Sequence, residues 1–221
     1  MTRKLYVLRH GQTVNNINHR QSGSSDAPLT PVGIRQAEEA GRSLAAMGVS
    51  PSSWFCSDTT RACQTIESVM HGLAGEILPY RCIHDIREYS FGRFDGVHYN
   101  AEPFMTMQEY AGPRSHIAWE EAYVAYGAER CEDVGRRVLW GLRQAMAATE
   151  GDVLAVSHAR AMLYLLAVMR GRYVDERPHL SNCDVIELEW RDSEPADEDD
   201  VRGTLSFVRF IHPTASRPTL I

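Results

Sequence analysis

At 221 residues, 43% hydrophobic and 24% charged, the chain has the make-up of an ordinary globular protein with enough apolar material for one sizeable core. Its net charge of -6 argues against a broad basic face for nucleic acid. No apolar stretch approaches the ~20 residues of a membrane span and Arg3 and Lys4 precede no signal-like apolar run, so the expectation is a cytoplasmic protein with no membrane partner.

Lys4–Leu8 reads as a buried strand that ends in Arg9-His10-Gly11. Thr30-Pro31 has the form of a helix start, a capping side chain followed by proline at the first helical position. The helix is expected to reach about Met47, with Ile34, Ala37, Gly41, Leu44 and Met47 on its apolar face and Gly48 as its stop. Trp54–Cys56 predicts a second strand, followed by a helix from about Thr59 to His71, and Ile77–Tyr80 a third strand. Residues 97–130 lack a strand pattern and are expected to form irregular helices carrying Met105, Met107, Tyr110, Trp119, Tyr123 and Tyr126. A long helix over about Cys131–Ala148 precedes a strand at Val153–Val156 and a helix at Ala161–Met169. Asp184–Trp190 and Thr204–Phe210 alternate as strands around the acidic loop 192–200, which predicts an edge hairpin and a surface for a homodimer. The alternation of strands and helices predicts a three-layer α/β/α sandwich whose central sheet is mainly parallel with an antiparallel edge.

Five cysteines, Cys56, Cys63, Cys82, Cys131 and Cys183, are odd in number and lack CxxC spacing. That pattern argues against a disulfide framework or a zinc cluster, and leaves free, mostly buried thiols and no metal site as the expectation. Lys4 is the single lysine beside 22 arginines, which removes a Walker-type phosphate loop and Schiff-base chemistry. Arginine binds phosphate through a forked pair of donors and stays charged, so the skew suits phosphate chemistry, although an arginine-rich codon bias explains it equally well.

Three strands end in segments that carry chemistry: Arg9-His10-Gly11, then Ser57-Asp58 with Arg61 one turn on, then Ser157-His158-Ala159. In an open α/β sheet these ends meet at one edge, where ligands bind. Two histidines and two arginines brought together there form a compact cationic pocket suited to a tetrahedral dianion.

On these segments the chain resembles the histidine phosphatase superfamily, the phosphoglycerate-mutase-like proteins. The matching stretches are LRHGQT at 8–13 with Asn16, DAPLTPVGIRQA at 26–37, SDTTRACQT at 57–65, REYSFGRFDG at 87–96 and VSHA ending at Ala159. The resemblance implies that His10 is the nucleophile, taking the phosphoryl group as phosphohistidine. It further implies that Arg9, Arg61 and His158 clamp the phosphoryl oxygens and that Glu88 protonates the leaving oxygen and then activates water. Gly11, Asn16, Gln21, Ser22 and Ala159 are the implied substrate contacts, with no cofactor and no metal. The whole chain, 1–221, would form one such domain, with 97–130 as a helical lid insertion and 213–221 as a tail.

Cofactor-dependent mutases of this superfamily follow the acid glutamate with an Arg-His-Tyr-Gly run and carry a Trp-Arg-Arg stretch in the next insertion. Here Tyr89-Ser90-Phe91-Gly92 comes after Glu88, and 97–130 contains no Trp-Arg-Arg. The resemblance therefore points to a phosphatase acting on a small phosphorylated metabolite, with a mutase of 2- and 3-phosphoglycerate and a non-catalytic phosphate-binding scaffold as the competing readings.

Overall fold

Six strands form one sheet in the order β3-β2-β4-β1-β5-β6. They are β1 (Thr2–Arg9), β2 (Ser53–Ser57), β3 (Arg81–Ile83), β4 (Val153–Ser157), β5 (Val185–Arg191) and β6 (Thr204–Ile211). The computed structural model describes residues 2–98, 101, 122–171, 179–193 and 203–214. The four strands from β3 to β1 run parallel, and β5 and β6 complete the sheet antiparallel. The helices are α1 (Val14–Ile17), α2 (Pro31–Ala46), α3 (Thr60–Ala74), α4 (Cys131–Ala147) and α5 (Ala159–Met169). Among the described residues no helix is long and apolar enough to cross a membrane.

Alternate residues of each central strand feed two separate cores. Leu5, Val7, Val153 and Ala155 pack with α4 and α5, whereas Tyr6, Leu8, Leu154 and Val156 pack with α2 and α3. Covering both faces is why these strands read as unbroken apolar runs rather than as an alternating pattern. The layered architecture expected from the sequence is the one observed.

Several local expectations are corrected. The third strand is Arg81–Ile83, in register with Phe55, Cys56 and Ser57 of β2, and not Ile77–Tyr80. Helix α3 runs three residues beyond His71 to a left-handed Gly75, so the apolar run 76–80 serves as the return crossover, where Ile77 remains 60% exposed. The buried face of α2 is Gly33, Ala37, Ala40, Gly41 and Leu44, while Ile34 and Met47 face solvent. Its contact with α3 is made by small residues: a Cβ on Gly41 would lie 2.2 Å from the Val69 carbonyl oxygen, and one on Gly72 would lie 2.1 Å from that of Glu38. Helix α5 begins at Ala159, two residues early, which makes His158 its N-cap residue. By contrast, the hairpin of β5 and β6 forms the antiparallel edge of the sheet as expected, with β6 outermost. Of the segment 97–130, residues 99–100 and 102–121 lie outside the described residues, as do 194–200 of the acidic loop and 215–221 of the tail.

The glycine contact between α2 and α3 is a test of this packing. Alanine is the better helix former by ~1 kcal/mol, yet in Gly72→Ala the added methyl meets backbone on the facing helix. The overlap should win, lowering stability by about 1–3 kcal/mol in urea unfolding. An unchanged or raised urea midpoint would contradict the close approach.

Candidate active site

Strands β2, β4 and β1 are neighbours and parallel, so their C-terminal ends open at one edge of the sheet. Each end delivers one part of the site. His10 follows β1 and is pinned by its own N–H, which donates to the Ser157 carbonyl at 3.0 Å. His158 follows β4 at the start of α5, and Arg61 lies in the first turn of α3, just past β2. The two imidazoles meet edge to face with ring centroids 5.2 Å apart.

Hydrogen bonds assign both rings a neutral tautomer. His10 Nδ1 lies 2.8 Å from the Gly11 carbonyl oxygen. A carbonyl only accepts, so Nδ1 carries the proton and Nε2 keeps its lone pair. His158 Nδ1 accepts from Arg61 Nε at 3.2 Å, so its proton is on Nε2. That Nε2–H is fully buried and has no partner among the described residues. One histidine thus offers a nucleophilic lone pair and the other an unused donor. Burial, reinforced by the Arg61 and Arg9 guanidinium groups, holds His10 well below the usual imidazole range. Burial and Arg61 do the same for His158, with smaller contributions from His10, Arg137 and Arg9.

Arg61 has no exposed surface, and all five of its N–H donors are engaged. Nε serves His158, one terminal nitrogen serves the Ser25 carbonyl and the Asp26 carboxylate, and the other serves the Ser22 and Gly23 carbonyls. The loop 22–26 is in turn folded around Asp95, whose carboxylate accepts from the Gly23 and Ser25 N–H groups and from the Ser24 and Ser25 hydroxyls. Although burial alone would raise it, these bonds hold the Asp95 carboxyl below its ordinary value. In this arrangement every Arg61 donor is already paired, and its charge lies directly beside His158.

Glu88 lies at the N-terminus of α5. Its Oε1 accepts from the Tyr89 and Ala161 N–H groups, both at 2.9 Å, and its Oε2 from the Arg160 N–H at 3.3 Å. A carboxylate at a helix N-terminus answers the unpaired N–H groups and the helix dipole. The Ala159 N–H, in the same turn, has no acceptor among the described residues. Arg137 on α4 holds the backbone that carries Glu88, donating to the carbonyls of Asp85, Arg87 and Glu88. Ser157 Oγ adds a bond to the Ile86 carbonyl at 2.8 Å.

The remaining expected contacts divide. Asn16, the third residue of α1, closes a capping box with the N-cap Thr13, and its Oδ1 also accepts from Asn182 Nδ2 at 3.4 Å. Asn182 donates as well to the His10 carbonyl, at 2.9 Å. Gln21 is buried and accepts from Arg160, and Ser22 accepts from Asn15. The Gly11 N–H donates to Thr65 Oγ1 at 3.0 Å, and its lack of a side chain lets it pack on the Gly33 backbone. Two positioning residues, Arg137 and Asn182, carry no signal in the sequence, because each acts on backbone groups far away along the chain, whereas Asp95 lies within the matching stretch 87–96 without its role being legible there. Arg160 does carry one, as a cation directly after His158-Ala159; its guanidinium lies 4.6 Å over the Phe91 ring.

Comparison with known proteins gives the family. The family model of the histidine phosphatase superfamily, branch 1, matches residues 5–198. The chain belongs to that superfamily. Among its relatives, a 2,3-bisphosphoglycerate-dependent phosphoglycerate mutase of Methylobacterium sp. (strain 4-46) is 29% identical over 196 residues, covering 86% of this chain and 92% of the mutase. A probable phosphoglycerate mutase GpmB of Proteus mirabilis (strain HI4320) is 27% identical over 194 residues, covering 86% of each chain. Among solved structures, Bacillus stearothermophilus YhfR superposes with a TM-score of 0.69 at 26% identity, covering 90% of this superfamily member and 97% of YhfR. A mycobacterial glucosyl-3-phosphoglycerate phosphatase shares the fold, with a TM-score of 0.71 at 23% identity, over 94% and 98% of the two chains.

The two neutral histidines make a pH prediction. Their folded pKa values lie well below the ~6.5 of an unfolded histidine, so below pH ~6.5 the unfolded chain takes up protons that the folded chain refuses. Stability present above pH ~6.5 should therefore be lost as the pH falls towards the folded values, by up to ~1.4 kcal/mol per pH unit for each histidine. In His10→Asn the slope between pH 6.5 and 5 should be shallower than in the parent. Equal slopes would show that His10 is not held neutral by folding.

Proposed function

We propose that this superfamily member is a phosphomonoester hydrolase that works through a phosphohistidine on His10. The observation that carries the reading is the complementary pair of buried rings: an unprotonated His10 Nε2 beside an unpartnered His158 Nε2–H. In the first step His10 Nε2 attacks phosphorus and a P–N bond forms as the P–O bond to the leaving group breaks. The Glu88 carboxyl supplies the proton for that departing oxygen. In the second step Glu88 takes a proton from water, the hydroxide attacks phosphorus, and the P–N bond breaks to return neutral His10. The His10 Nδ1–H stays on the Gly11 carbonyl throughout, so the ring cannot rotate away between steps. His158 Nε2–H and the Ala159 N–H are donors for the phosphoryl oxygens, and Arg9 and Arg61 supply the positive field. In this scheme the chain's own side chains and backbone supply every group, so a chelator should leave turnover unchanged.

Hydrolysis is favoured over mutase transfer by the residues directly after Glu88. Tyr89 and Phe91 are 0% and 1% exposed and pack edge to face with centroids 4.9 Å apart, so this stretch fills the core and sends no cation into the pocket. A mutase reading is kept by the names of the sequence relatives, and its substrate would be a phosphoglycerate.

Release of phosphate from an aryl phosphate should fall to background in His10→Ala. It should fall about 10²–10⁴-fold in Glu88→Gln, chiefly in kcat, and about 10²–10³-fold in His158→Ala. Turnover retained by His10→Ala would end the phosphohistidine mechanism. Faster interconversion of 2- and 3-phosphoglycerate than release of phosphate from either would replace the hydrolase by the mutase.

A further inference from the structure

Beside the end of β2 that leads to Arg61, three of the five cysteines converge. Cys56 on β2 and Cys82 on β3 are direct partners in the parallel ladder, so their side chains leave the sheet on the same face. Cys63, in the first turns of α3, comes down onto that face. The Sγ–Sγ separations are 3.8 Å for Cys56–Cys63, 3.8 Å for Cys56–Cys82 and 4.0 Å for Cys63–Cys82. All three cysteines are free thiols.

The triangle has a chemical meaning. A point equidistant from the three sulfurs lies about 2.2 Å from each, the length of a bond between a thiolate and a d10 metal ion. Among the described residues no fourth histidine, cysteine or carboxylate completes the group. Structural zinc is almost always four-coordinate, whereas an all-thiolate set with three members suits the softer, lower-coordinate Cu(I). Burial is graded across the site: Cys56 is fully buried, Cys63 is intermediate and Cys82 is exposed. The graded burial gives a floor for the ion and an entry from solvent. We propose that Cys56, Cys63 and Cys82 form a three-thiolate site for a soft monovalent metal ion, Cu(I).

Binding is a ligand exchange without redox change. Three S–H bonds and the bonds from Cu(I) to its previous ligands break, three Cu–S bonds form, and the displaced ligands and three protons leave to solvent. Burial and the neighbouring thiols push the Cys56 thiol up, and burial pushes Cys63 up, so in the unoccupied site both are protonated and the thiols lie together without mutual charge repulsion. The site clamps β2, β3 and α3 together. These elements carry Arg61 and lead into the segment that holds Glu88, although the proposal does not rest on the hydrolase reading. Spacings of 7 and 19 residues conceal the cluster in the sequence, since only the parallel pairing of β2 and β3 brings Cys56 and Cys82 side by side.

The test uses the full reduced chain under anaerobic conditions, with Cu(I) supplied as its complex with a chromogenic bidentate chelator. One Cu(I) per chain should transfer from the chelator, and sulfur-only coordination should appear in X-ray absorption. Loading should also protect Cys82 from alkylation. Cys82→Ser alters an exposed side chain and should keep the parent thermal midpoint, and Cys63→Ser provides a second probe. Each should weaken Cu(I) binding by on the order of 100-fold or more, since loss of an outer-shell partner alone costs 10–100-fold. Cys131→Ala, outside the cluster, should bind as the parent does. The proposal is overturned if Cu(I) stays on the chelator, if both serine variants bind as tightly as the parent, or if zinc binds while Cu(I) does not.

Discussion

The site depends on one buried guanidinium. Burying an unpaired charge costs several kcal/mol, and Arg61 is accommodated because every one of its donors meets an acceptor, four of them supplied by the loop 22–26. Asp95 and Asp26 fold that loop, so two carboxylates on the surface side organise a cation on the inner side. The remaining donor, Nε, fixes the tautomer of His158. The charge itself disfavours protonation of both histidines. A lysine in its place would keep the charge and lose the fork that satisfies the loop and the ring together.

Topology does the rest of the assembly. Parallel pairing of β1, β4 and β2 places His10, His158 and Arg61 at one edge although they are far apart in the chain. Tight backbone packing then sets their depth. Gly11 lies on Gly33, and a Cβ on Gly33 would come within 2.1 Å of the Gln12 carbonyl oxygen, so the turn after His10 is seated directly on the start of α2. From the other face, Arg137 on α4 collects the carbonyls of residues 85, 87 and 88 and thereby holds Glu88 against α5.

Much of this is legible in the chain. Apolar runs that end in Arg9-His10, Ser57-Asp58 and Ser157-His158 mark both the sheet and its functional edge, because strands covered on both faces leave unbroken hydrophobic runs. Ile77–Tyr80 misleads for the same reason: a short apolar run says nothing about which residues find a hydrogen-bonding neighbour, and here Arg81–Ile83 do. On α2, large side chains at Ile34 and Met47 suggest the wrong edge of the buried face, because the contact with α3 is built on glycine and alanine. Arg61 is legible but its engagement is not, since its acceptors are mostly backbone carbonyls, which every residue possesses. The thiols are free and mostly buried as expected, but the meeting of Cys56, Cys63 and Cys82 is not legible, because convergence across parallel strands leaves no local motif.

The proposed chemistry depends on the protonation states of two rings, and these can be observed directly. Nitrogen-15 NMR of the histidine side chains, followed from pH 8 to pH 5 in the intact protein, reads both the tautomer and the charge. The prediction is that His10 remains neutral with its proton on Nδ1 and His158 remains neutral with its proton on Nε2 across the range. Titration of either ring near pH 6.5, or the opposite tautomer on either, would contradict the arrangement on which the proposed phosphoryl transfer rests.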